Sequence, residues 1–226
     1  QAVFHSRHGN HVLNSVRGEL AWARTDKGWT LSAQHLAAQV DNIAWPASAL
    51  AIADNSGELT LAVAGLEVAP AAVLLNRLPL PASLAGWMRE ATPVGRIPAL
   101  MVSLSSDAEG QWSPRLISTR FERIGLHATS RFPGGSNLTG WARWTPEQTL
   151  LSLDTKAGGL DLRQVFREPV ALDYLQGVIR MRASPERWRL ESDRLLVKSP
   201  DATGQAVLRV DIPRADPHAA ELSLMA

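Results

Sequence analysis

Apolar and polar residues alternate with a period of two over much of the chain. Leu20 and Trp22 alternate with Glu19, Ala21 and Ala23; a Thr-Asp-Lys-Gly turn follows, and then Trp29, Leu31 and Ala33 alternate with Thr30 and Ser32. The same arrangement returns at Ile179, Met181 and Ala183, a Ser-Pro-Glu-Arg loop, and Trp188 and Leu190 against Arg189 and Glu191. Period two with polar residues opposite predicts antiparallel strands with one wet face. Further alternation at Leu126–Ala128 and Leu208-Val210-Ile212 extends the pattern, and Asn55-Ser56-Gly57, Pro133-Gly134-Gly135 and Asp201–Gly204 supply turns.

These hairpins form an internal repeat. Residues 16–40 align without a gap on 175–199, matching Gly18 to Gly177, Trp22 to Met181, Trp29 to Trp188, Leu31 to Leu190 and Leu36 to Leu195. A weaker copy at 138–162 places Gly140, Trp144, Leu151 and Leu153 at the corresponding positions. Repeated units of this size stack, because none can bury its apolar face alone. In both strong copies the apolar parity slips by one residue, at Gln34–His35 and Asp193–Arg194, which predicts a bulge or bend at each. Helix is scarce: Pro70–Leu78 and Pro81–Ala91 are short candidates that form an insertion over about 70–91, and Leu160–Glu168 offers one more helical turn. The expected fold is mainly β, an antiparallel sheet of stacked hairpins with two or three short helices.

Composition narrows the function without naming it. A chain of 226 residues with 45% apolar and 20% charged residues can bury a core. The net charge of +1 favours no nucleic-acid partner, and the excess of Arg over Lys follows an Ala- and Leu-rich composition. The absence of cysteine removes disulfides, thiolate metal sites and thiol nucleophiles. No initiator Met or signal peptide is present, so the chain reads as a piece of a longer one; its most apolar run, Leu59–Leu75, carries Glu67 and Pro70 and makes a poor membrane span. His5, His8 and His11 recur every third residue, yet Gly9 and Asn10 interrupt them and no carboxylate joins them, so no metal site is expected there. No nucleophile motif is present, and Pro133–Gly140 lacks the Lys of a phosphate loop. Asn137-Leu138-Thr139 matches a glycosylation sequon, and no carboxylate pair is singled out for glycan hydrolysis. The expectation is a non-enzyme without metal or cofactor. The eight Trp are the remaining handle, and packing in an ordinary core is their competing explanation.

Specific residues resemble the YhdP family of AsmA-like envelope proteins. They are Phe166-Arg167-Glu168-Pro169-Val170-Ala171-Leu172-Asp173, then Leu175 and Gly177, then Trp188-Arg189-Leu190. Upstream, Phe132-Pro133-Gly134, Asn137-Leu138-Thr139-Gly140 and Leu153-Asp154 fit the same pattern, as do Val16–Trp22 and Trp45-Pro46-Ala47. Met181 stands where a Trp is expected. The resemblance implies a segment, here 1–226, of a long periplasmic body anchored in the inner membrane of a Gram-negative cell by an amino-terminal helix outside this sequence. It implies a curved, twisted sheet forming a groove (a β-taco) that carries phospholipid acyl chains between inner and outer membrane. The one-sided apolar pattern nominates Trp22, Trp29, Leu31, Trp144, Leu153, Met181, Trp188 and Leu190 as lining residues. The alternative is a β-scaffold that binds or assembles other envelope proteins by pairing at its edge strands, as in the related TamB group.

Overall fold

The computed structural model describes residues 2–6, 9–76, 82–129, 133–162, 167–215 and 221–225. His8, Phe132 and Phe166 lie outside the described residues, and so do the side chains of His5 and His11. The chain forms β1 (Ala2–Ser6), β2 (Gly9–Thr25), β3 (Gly28–Val40), β4 (Ile43–Ala44), β5 (Ala49–Asn55) and β6 (Glu58–Glu67). Helices α1 (Val68–Leu75) and α2 (Ala82–Ala91) then lead into β7 (Val94–Ser106), β8 (Trp112–Leu126), β9 (Gly134–Trp144) and β10 (Gln148–Asp161). The rest is β11 (Val170–Ala183), β12 (Arg187–Ser192), β13 (Leu195–Lys198), β14 (Thr203–Pro213) and β15 (Glu221–Met225).

All these strands join one curved antiparallel sheet, in the order β1-β2-β3-β5-β6-β7-β8-β9-β10-β11-β12-β14-β13, with β4 on β3 and β15 on β14. Neighbours in space are mostly neighbours in sequence, as short turns between antiparallel strands require. The strands are far longer than the five or six residues of an average strand: β2 has 17 residues, β8 has 15 and β10 has 14. Strands of this length stay in one sheet by bending at bulges rather than by stopping.

Both expected slips are irregularities. On β3, His35 and Leu36 oppose the single Gly18, between the pairs Arg17–Ala37 and Glu19–Gln34, and His35 has φ +50°. On the last hairpin β12 ends at Ser192 and β13 resumes at Leu195, while β11 runs past the break. Gly18 and Gly177 both sit opposite these breaks with φ +156°, where a side chain would meet the partner's backbone.

Two helices occur where the insertion was expected. Helix α1 begins two residues before Pro70 and ends at Leu75, and α2 ends at Ala91. They bury Ala71, Ala72, Met88 and Ala91, and α1 packs on β7, β4 and β6. The third helical turn does not form at its start: Leu160 and Asp161 pair with Gly135 and Gly134 as the end of β10, because the β-ladder captures their backbone groups first.

The buried core is small and lies at one end of the sheet, away from the tight hairpin turns. Phe121, Leu153, Leu172 and Leu175 form it, with Ile97, Ile124, Leu138, Leu160, Val170 and Val197 among the half-buried residues around it. Gly140 pairs with both Phe121 and Leu153, and its missing Cβ leaves room for the Phe121 ring over β9. At the same end β10 is irregular between Leu153 and Gly159, and the fully buried Thr155 fills the gap. Its hydroxyl accepts from Thr139 N at 3.0 Å and donates to Thr139 O at 3.3 Å, replacing the missing ladder bonds. Asn137, at φ +54°, donates its side-chain amide to Lys156 O and Ala157 O. The sequon-like segment is thus a clip for a strand irregularity.

Candidate apolar groove

Residues directly opposite in an antiparallel sheet share a face, so the register sorts every side chain onto one side or the other. One row runs Trp22–Leu31–Ile52–Leu61–Val102–Ile117–Trp144–Thr149–Met181–Leu190–Val210, one residue from each of eleven strands. Ten are apolar, and Thr149 is the one interruption. The next row on the same face runs Leu20–Ala33–Leu50–Val63–Leu100–Thr119–Ala142–Leu151–Ile179–Ser192. Trp29 and Trp188 stand on this face too, one row nearer the hairpin turns, where Trp29 opposes Arg24 and Asp54, and Trp188 opposes Ile212.

All eight nominated residues therefore share a face, but their surroundings differ. Leu153 is 7% exposed, packed against Phe121 and Leu175 in the core. Leu31, Trp144, Met181 and Leu190 are half-buried. Trp22 is 65% exposed and its row neighbour Leu20 71%. Leaving two such side chains uncovered is costly, since burying a large apolar side chain contributes about 1.5–3 kcal/mol. Around Trp22, Trp29 and Leu31 the sheet surface forms an open hollow of about 600 Å³, rimmed by Arg24 and Asp26. Alternation alone did not single out Ile52, Leu61, Val102 and Ile117. They lie in the middle of the row, and register is what joins them to the Trp positions.

The opposite face mixes small apolar, polar and charged side chains. Beside the first row lie Ala21, Ser32, Ala51, Ala62, Met101, Ser118, Arg143, Leu150, Arg180, Glu191 and Arg209. Charged pairs hold its C-terminal part. Asp211 accepts from Arg189 Nε at 2.7 Å and from Arg209 Nε at 3.1 Å, with Arg187 at 3.9 Å. The hydrogen bond from Arg189, opposed by burial and aided by Arg209, lowers the Asp211 pKa. Arg214 lies 4.8 Å over the Trp188 ring and covers one side of it.

No group of three or more His, Asp or Glu gathers in metal-binding geometry among the described residues. No helix among them is long and apolar enough to cross a membrane.

The family model described as YhdP protein matches residues 1–226, the whole chain. No curated protein and no solved structure shows significant similarity to it.

Proposed function

The chain belongs to the YhdP family, and from that premise we propose that it is a non-enzymatic segment of an envelope lipid-transport protein, whose apolar sheet face carries phospholipid acyl chains between the inner and outer membranes. The observation that supports this reading is the row of ten apolar side chains, interrupted at Thr149, that crosses eleven strands of the sheet. A single sheet with one apolar face has to cover that face, and among the described residues a buried cluster of large side chains stands at the Phe121–Leu175 end while Leu20 and Trp22 at the other side of the sheet stay exposed. Acyl chains need apolar area and no fixed hydrogen-bond geometry, which is what these rows offer. The proposed setting is the periplasm, with the inner-membrane anchor outside this sequence.

The test is a photo-crosslinking amino acid at position 29 or 188 in the full-length protein in cells. Captured phospholipid at either position is the expected result. Crosslinks to protein alone at both would remove these positions from the groove. That outcome would favour the second reading, a scaffold that binds other envelope proteins through edge strands.

A further inference from the structure

The face opposite the apolar rows carries an exposed Trp that the groove does not use. Trp141 is 42% exposed and directly opposes Arg120 on β8 and Ser152 on β10. It borders an open concavity of about 650 Å³ that crosses β8 to β11 and is also lined by Asp154, Gln176 and Arg194. One step further along β11, on the same face as Gln176, stands Tyr174, hydrogen-bonded to Asp154. Trp141 is level with Val178, so Tyr174 lies two strands across and four residues along from it, roughly 10 Å by 14 Å, the footprint of two or three sugar rings.

The mix of groups discriminates between ligands. A flat aromatic face packs on the C–H face of a pyranose, and sugar hydroxyls both donate and accept. A carboxylate, an amide and guanidiniums around one Trp therefore suit a glycan. The concavity itself balances Arg120 and Arg194 against Asp154 and Asp193, so it lacks the excess of cations that would draw a broad anionic membrane surface, and it offers no free strand edge for a peptide. Beside the concavity Arg143, Arg180 and Arg182 have no ion-pair partner among the described residues.

We propose that the face of β8–β11 opposite the apolar rows binds a carboxylate-bearing glycan strand, with Trp141 as its stacking platform and the neighbouring arginines as its anion contacts. This site stands apart from the lipid reading and survives if that reading fails.

The test is co-sedimentation of the full-length protein with purified peptidoglycan sacculi, whose glycan carries acidic stem peptides. Salt-sensitive binding is expected. Trp141→Ala should weaken it about tenfold, Gln176→Ala and the pair Arg180→Glu and Arg182→Glu should weaken it as well, and Lys27→Ala at a distant turn should leave it unchanged. Each variant is compared with the parent by far-ultraviolet circular dichroism, and the exposed Gln176 gives a variant that does not depend on Trp141 for folding. Absence of sedimentation overturns the proposal. So does sedimentation indifferent to both Trp141→Ala and Gln176→Ala. So does variant-sensitive binding to phosphatidylglycerol vesicles in place of sacculi, which would make the face a membrane contact.

Discussion

At the scale of single residues, the polar side chain that matters most to the fold is Thr155. It has no exposed surface and supplies both a donor and an acceptor to the backbone of Thr139 at an irregularity of the ladder. Thr155→Val keeps the shape and removes both bonds, leaving two buried backbone groups without partners. A loss of about 1–3 kcal/mol is expected, read as a lowered Tm, with Thr155→Ser retaining most of the stability. Little of this was legible beforehand. The Asn-Leu-Thr-Gly and Leu-Asp-Thr segments stood out as family motifs, and Asn137 as a sequon. Their physical role depends on β9 and β10 meeting out of register, a relation between distant residues that no local pattern carries. The parity slips were legible because a bulge moves every later side chain to the other face, and that shift is written in the strand's own alternation.

At the scale of elements, hairpins with one wet face followed from period two, and the two helices from runs without alternation. The same rule failed at Leu160–Asp161, where a short helix-friendly run is claimed by a strand already paired on both sides. Register explains why all eight nominated residues share a face, while their burial had to come from packing: Leu153 points toward Phe121 and Trp22 toward open space. The pair β12–β14 shows an element held from both faces, by Leu190–Val210 on one and Arg189–Asp211 on the other. Asp211 titrates below the usual carboxylate range in the folded chain, so its contribution is present at neutral pH and is lost as the pH falls through that lowered value. Asp211→Asn is expected to be less stable than the parent at pH 7, and the difference should close in strongly acidic solution; thermal melts across that range measure it.

At the scale of the molecule, most strands touch only the strands beside them, and among the described residues the cluster of large buried side chains lies on β8, β10 and β11. Stability should therefore vary along the sheet instead of being shared by a central core. Amide hydrogen exchange is expected to be slowest in β8–β11 and to quicken towards β2 and β14. Equal protection from β2 to β14 would show that some contact outside the strand ladder couples the ends.

The row from Trp22 to Val210 runs across the strands, so its successive side chains are one inter-strand spacing apart, about 4.8 Å. Ten such steps cover roughly 48 Å. An apolar chain lying along it meets nearly the same surroundings after each step, and a path of near-equal energies with small barriers permits sliding by thermal motion alone. Thr149 is the one point where the surface changes character, and any pause along the track should fall there.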